Sequence, residues 1–169
     1  MPTADACARE AAWLNTTGDG LPSLASSAGG PFQVVAAYEQ GAQTRTQATA
    51  VYVMRGAVQQ VRVANQRVRP RYPVKLEMHW PVRVISPGAS SIAATEQQNF
   101  DNAIELLRQR VTGPLGDKSH GGRFLSAAEA VRGQAAIDVQ YEPPGQTIPA
   151  NKELRATMAY FIDDYEINA

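Results

Sequence analysis

The sequence predicts an α+β domain: a mainly antiparallel or mixed β-sheet carrying one long helix on a face, with a short helix at the N-terminus. Three observations lead there. Residues 92–111 place Ala93, Phe100, Ala103, Ile104, Leu107 and Val111 on one face at helical spacing, and most of the polar residues elsewhere. Residues 72–85 and 153–167 alternate with period two, which is the mark of strands with one buried face. The order of elements, with strands before and after the long helix rather than strictly alternating with helices, separates α+β from a wound α/β sheet.

Taken in order, residues 4–14 are alanine-rich, with Cys7, Ala11 and Leu14 at i, i+4 and i+7, and predict the short helix. Residues 15–20 stop it, and the small, polar stretch 21–30 reads as a flexible connection or a partner-dependent loop. Residues 31–39 and 49–54 read as strands, joined through the polar segment 40–47, whose length and composition fit a long hairpin loop. Residues 58–63 predict another short strand. In residues 72–85, Val74, Leu76, Met78 and Trp80 face the core while Lys75, Glu77 and His79 face away. Pro73 and Pro81 lack donors, so this strand is expected at an edge or bent at Pro81. The long helix ends at Gly113-Pro114, the flexible residue followed by the ring that cannot continue it. Residues 124–131 read as a helical turn or an irregular crossing segment. Residues 137–141 form a strand, and 153–167 a long final strand pairing with it, connected through 143–151. Trp80, Phe100, Ile104, Leu107, Met158 and Tyr160 are expected in one core.

Length and composition set the scale. A chain of 169 residues, 44% hydrophobic and 19% charged, suits a single domain spanning 1–169 with a core that needs neither disulfide nor metal. Met1 is followed by Pro-Thr-Ala-Asp rather than by a basic stretch and an apolar run, so no secretory signal is expected, and no run is long and apolar enough to cross a bilayer. The single Cys7 reads as a small packing residue. With no repeat in the chain, a solenoid is not expected.

Net charge is zero but unevenly placed. Seven basic residues and no acid lie between residues 40 and 76, whereas Asp163, Asp164 and Glu166 crowd the C-terminus. Arg67, Arg69 and Arg71 alternate and so line one side of an extended segment. Three readings are open for them: a subunit interface, a solvated face, or nucleic-acid contact, the last weakened by the absence of interleaved aromatics other than Tyr72. If subunits assemble head to tail, these arginines have complementary partners in Asp163, Asp164 or Glu166 of a neighbour.

The chemically richest segment is Gly113-Pro114-Leu115-Gly116-Asp117-Lys118-Ser119-His120-Gly121-Gly122-Arg123-Phe124. Gly116-Asp117-Lys118-Ser119 is similar to a phosphate-binding loop only superficially, because Asp117 breaks the required spacing and the loop follows a helix rather than a strand. Asp117, Ser119 and His120 are the residue types of an acyl-transfer triad, but neighbours on one loop do not set up that relay. His79 and His120 are the only histidines, and neither has further ligands at metal spacing, so no metal, cofactor or catalytic residue is expected. His79 reads as an exposed strand residue. Lys118, His120 and Arg123 are expected in an ordered loop at a subunit or partner contact, the positive φ angles open to Gly121 and Gly122 shaping its turn.

A strand ending in Met78-His79-Trp80-Pro81, a serine-rich loop, a long helix with Glu96 early in it, and Arg110-Val111-x-Gly113-Pro114-x-Gly116 continuing to Phe124 together resemble the tail terminator proteins (minor tail or head-to-tail connector proteins) of long-tailed bacteriophages of actinobacteria. The resemblance covers residues 76–126, about a third of the chain. It implies a non-enzymatic subunit of a six-membered ring in the virion neck, at the head-tail junction, assembled in the host cytoplasm. Such a ring caps the tail tube, contacts the tube protein on one side and the head-closure or connector protein on the other, and lets DNA pass through its lumen without specific recognition. No membrane partner and no cofactor are implied. The alternatives are another neck component, a largely helical adaptor or a β-barrel closure protein, and a ligand-binding or enzymatic domain using the loop at 113–124.

Overall fold

The computed structural model describes residues 5–18, 20–38, 48–56, 59–82, 90–113, 117–130, 133, 135–142, 153–165 and 167–168. Its elements in chain order are α1 (Ala6–Leu14), β1 (Val34–Ala37), β2 (Ala50–Arg55), β3 (Gln59–Ala64), β4 (Arg67–Pro81), α2 (Ser90–Thr112), β5 (Ser126–Ala127), β6 (Asp138–Tyr141), β7 (Glu153–Asp163) and β8 (Ile167–Asn168), with a 3-10 turn at Ser26–Ala28. The fold is α+β. Eight strands form one mixed, curled sheet in which β4 has β2 and β3 on one side and β7 and β8 on the other, β1 lies outside β2, and β5 and β6 lie outside β7.

The two period-two segments form the centre of this sheet, in continuous antiparallel register from Arg71 opposite Asp163 to Pro81 opposite Glu153. Along β7 every even residue from Leu154 to Ile162 is buried, as the alternation requires. Val74, Leu76, Met78 and Trp80 of β4 join them on the same face, and both helices pack there. The buried stripe of α2 is Phe100, Ala103, Ile104, Leu107 and Val111. The Trp80 ring lies 5.7 Å from that of Phe100, and its indole nitrogen donates to Glu96 at 2.9 Å, which joins β4 to α2. All six residues expected in one core are in it. Leu107 has no solvent exposure, so Leu107→Ala is expected to cost about 2–5 kcal/mol in urea unfolding.

Several expectations are corrected. The strand over 72–85 is not at an edge: it begins at Arg67, absorbs the arginine-rich stretch, is central and ends at Pro81. Its internal prolines, Pro70 and Pro73, are tolerated because each faces a break in the neighbouring row, and Pro81 ends the strand. The Pro73 carbonyl accepts from Gly56 N, so its nitrogen faces the gap between β2 and β3; the Pro70 carbonyl accepts from Asp164 N, so its nitrogen faces the gap between β7 and β8. β1 and β2 do not form a hairpin but pair in parallel, Val34 opposite Ala50 through Ala37 opposite Val53. The connection has about the dozen residues that a crossover needs, although 39–47 lie outside the described residues. The stretch 21–30 is not a loose connection: Leu24 and Phe32 are buried, Ala25 bridges Phe32, and the backbone of Leu24 crosses so close to Gly30 that a Cβ there would sit 2.2 Å from its carbonyl. The segment 124–131 contributes β5, a two-residue strand on β7. The connection 143–151 and the loop 86–89 also fall outside the described residues.

Candidate functional site

α2 stops at Thr112, and Gly113 takes φ +85° where a Cβ would lie 2.0 Å from the Asp117 carbonyl oxygen. Pro114, Leu115 and Gly116 lie outside the described residues. Asp117 then organises the loop. One carboxylate oxygen accepts from the Ser119 amide (2.9 Å) and hydroxyl (2.6 Å), and the other from the Gly121 amide (2.7 Å). Those bonds, the Ser119 hydroxyl first, hold its carboxyl below the usual range. The Ser119 hydroxyl in turn accepts from Gly122 N at 2.9 Å, so Asp117 and Ser119 serve loop geometry. His120, Gly121 and Gly122 adopt φ of +49°, +70° and +76° in succession. For His120 that conformation is unfavourable by itself and is held by its surroundings.

His120 is the main correction at this site. It is not presented to a partner: its exposure is 0%, and the ring stacks on Trp13 at 3.7 Å with planes 4° apart. Nε2 faces the Val111 carbonyl oxygen at 3.0 Å, an acceptor that only an N–H satisfies, so Nε2 carries a proton. Nδ1 lies 2.9 Å from Oε2 of Glu10, also 0% exposed, and shares a proton with it. Oε1 of Glu10 accepts from the Tyr160 hydroxyl at 2.5 Å. Burial, then the Glu10 charge, push the Tyr160 phenol well above its ordinary range. A glycine-rich loop that reads as a surface feature thus inserts its imidazole between α1, α2 and β7.

Two arginines complete the clamp. Arg9 donates to both Asp164 oxygens (3.0 and 2.5 Å) and to the Arg123 carbonyl (2.9 Å), with its guanidinium 4.6 Å over Phe124. Arg110, 0% exposed, donates to the carbonyls of Trp13 (2.6 Å), Thr16 (2.8 Å) and Pro22 (3.1 Å) and lies 4.6 Å over the Trp13 ring. Sequence reasoning missed Glu10 and the role of Arg110. The available signal was position: Glu10 stands three residues after Cys7 and four before Leu14, and Arg110 three after Leu107, each on an otherwise apolar helical stripe.

The remaining candidates divide. Asp164 is buried and taken by Arg9, so it is not a surface for a neighbour. Asp163 lies opposite Arg71 in register, its carboxylate 3.8 Å from the Arg71 guanidinium, which also sits 4.4 Å over Phe161. The expected pairing between subunits is therefore made within one chain at Arg71. Glu166 lies outside the described residues. Arg67 and Arg69 share the face of Arg71 on β4, farther toward the β3–β4 turn. Lys118 is paired with Glu129 at 2.6 Å with its side chain 68% exposed, and Arg123 is half-buried. The loop, Arg71, Asp163 and Asp164 thus converge at the C-terminal end of β7, where Leu125 N donates to the Asp163 carbonyl.

His79 is likewise not exposed. It is 4% accessible, 3.1 Å from Glu153 and edge-on to Tyr52 at 5.5 Å. On the sheet face away from the helices, an open cavity of about 460 Å³ is lined by Met54, Arg55, Pro73, Lys75, Asp138 and Thr157 among others, and Lys118, His120 and Arg123 do not line it. Among the described residues no group of three or more His, Cys, Asp or Glu is placed to hold a metal ion, and no helix is long and apolar enough to cross a membrane.

The molecule is thus an α+β domain whose motif-bearing loop is built into its own core. Comparison with known proteins finds no matching family model, no matching curated protein and no matching solved structure.

Proposed function

We propose that this chain is a structural ring subunit of a bacteriophage neck: a tail terminator that caps the head-proximal end of the tail tube and joins it to the head connector, with DNA passing through the lumen. The observation that carries the reading is the arm formed by β3 and the start of β4. Gln59, Gln60 and Arg62 through Arg67 are all exposed, so both faces of the hairpin lie outside the core at its turn, and the stretch contains no acid. A hairpin whose turn and outer strand are exposed, backed near the turn only by the two residues of β8, adds little to the stability of its own domain and suits a contact with another chain.

Further support comes from the loop that shares the family resemblance. Its histidine, aspartate and serine are engaged in holding the fold, which favours a structural over a catalytic use of the motif. Two helices on an eight-stranded sheet also fit a terminator better than a largely helical adaptor. The purified protein is expected to form particles of six times the 18.2 kDa chain mass, seen as rings in negative stain. A monomer at every concentration, alone and with tail tubes, overturns the reading. Because His120 is buried, replacing Lys118, His120 and Arg123 together tests folding rather than assembly; Lys118 alone is the informative position on the loop.

A further inference from the structure

We propose that copies of this chain join head to tail by edge-strand pairing, the outer edge of β3 in one copy adding antiparallel to the outer edge of β6 in the next. This contact rests on the ring reading and specifies how the ring closes. Odd-numbered residues of β4 direct their backbone groups toward β2 and β3, as the Gly56 to Pro73 bond shows, so Gln59 and Val61 bond β4 while the N–H and C=O of Gln60 and Arg62 point outward. On β6, the bond from Glu142 N to the Arg155 carbonyl places Asp138 and Gln140 toward β7 and turns the backbone of Val139 and Tyr141 outward. Among the described residues no strand pairs with either outer edge. Unpaired edges of this kind are templates for another strand.

Direction and face both agree. β3 and β7 run antiparallel to β4, and β6 antiparallel to β7, so β3 of one copy beside β6 of another continues the alternation. Arg62 lies opposite Val68 on the helix-bearing face, and Val139 lies opposite the buried Met158 on that same face. Pairing Arg62 with Val139 and Gln60 with Tyr141 therefore keeps the helix sides of adjacent copies together, whereas a one-residue slip would invert them. Charge is complementary. Arg62 is exposed on the helix-bearing face of an acid-free hairpin, and on that face of the other edge Asp101 of α2, exposed, shares a hollow with Tyr141; Asp138 and Glu142 add exposed negative charge on the opposite face of the same edge. Tyr141, 53% exposed, supplies an aromatic surface diagonal to Arg62 in this register. Two different patches make the contact heterologous, and such contacts repeat into rings when the rotation closes.

The test uses the full chain, whose single native cysteine, Cys7, is buried. In the proposed register Gln59 and Glu142 form a non-hydrogen-bonded pair, with Cα atoms about 4.5 Å apart, within disulfide range. Gln59→Cys combined with Glu142→Cys is expected to give, on mild oxidation, a ladder of covalent oligomers ending at the ring's copy number, and a mixture of the two single variants is expected to stop at dimers. Arg62→Glu, at an exposed position, is expected to weaken assembly roughly tenfold. Rings that form without cross-linking and are indifferent to Arg62→Glu overturn the edge contact and leave the ring reading standing. A monomer under all conditions overturns both.

Discussion

Glu10→Ala is expected to destabilise the domain by about 3–5 kcal/mol, because it removes the shared partner of two other buried polar groups. Tyr160 donates to one Glu10 oxygen and His120 shares a proton with the other, and both rings lie in the apolar interior. Removing the carboxylate leaves the Tyr160 hydroxyl and Nδ1 of His120 without a partner and opens a cavity beneath Trp13 and His120. It also removes one of the contacts that hold His120 at φ +49°, so the loop is expected to loosen from α1. Glu10→Gln separates these effects. An amide oxygen accepts from Tyr160 while the amide NH2 donates to Nδ1 of a neutral His120 protonated at Nε2, so every group stays bonded, and most of the lost stability is expected to return. Urea unfolding of the two variants is the measurement. Glu10→Ala within about 1 kcal/mol of the parent would mean that the cluster does not hold the fold, against the typical cost of unsatisfied buried groups.

Arg110→Ala is expected to be comparably severe, at about 3–5 kcal/mol, through a cavity and unsatisfied acceptors together. The guanidinium caps the carbonyls of Trp13 and Thr16, where α1 ends, and that of Pro22 in the segment leading to the 3-10 turn. One planar group serves all three while covering the Trp13 ring, which a lysine's single ammonium does not reproduce. Burial lowers the Arg110 pKa from its usual value, but arginine starts so high that the charge persists at neutral pH. Arg110→Lys is therefore expected to recover part of the stability, and Arg110→Met, similar in length but without donors, less. Equal stability of the Met and Lys variants would assign the role to packing rather than to hydrogen bonding. Thermal unfolding followed by tryptophan fluorescence reports on Trp13 together with Trp80, both in the core, and a loss of about 4 kcal/mol would be a large part of the 5–15 kcal/mol typical of a domain.

A motif of glycines and ionisable residues invites a binding role, yet here Asp117, Ser119 and His120 shape and anchor the loop, and Arg9 ties its Arg123 carbonyl to Asp164. Of the ionisable residues in that segment, Lys118 is the one with a mostly exposed side chain. Contacts with other chains are carried in our reading by the sheet edges, where backbone groups of β3 and β6 point outward.

The amino-acid pattern alone determined the class of the fold and most of its core. The 3.6-residue stripe of α2 and the alternation of β4 and β7 specify which side of each element is apolar, and Trp80, Phe100, Ile104, Leu107, Met158 and Tyr160 met accordingly. It also determined that Arg67, Arg69 and Arg71 share one face, since that follows from the pleat. Only the tertiary structure decided which remote elements meet. The Glu10–His120 contact joins residues 110 positions apart, and the parallel pairing of β1 with β2 replaced the hairpin that their spacing invites. The Arg71–Asp163 pair turned an expected contact between subunits into one within a chain. The reason is physical: periodicity records the solvent preference of a face, whereas a buried charge or a central proline is tolerated only through a particular partner or a particular gap, and neither exists until the chain has folded.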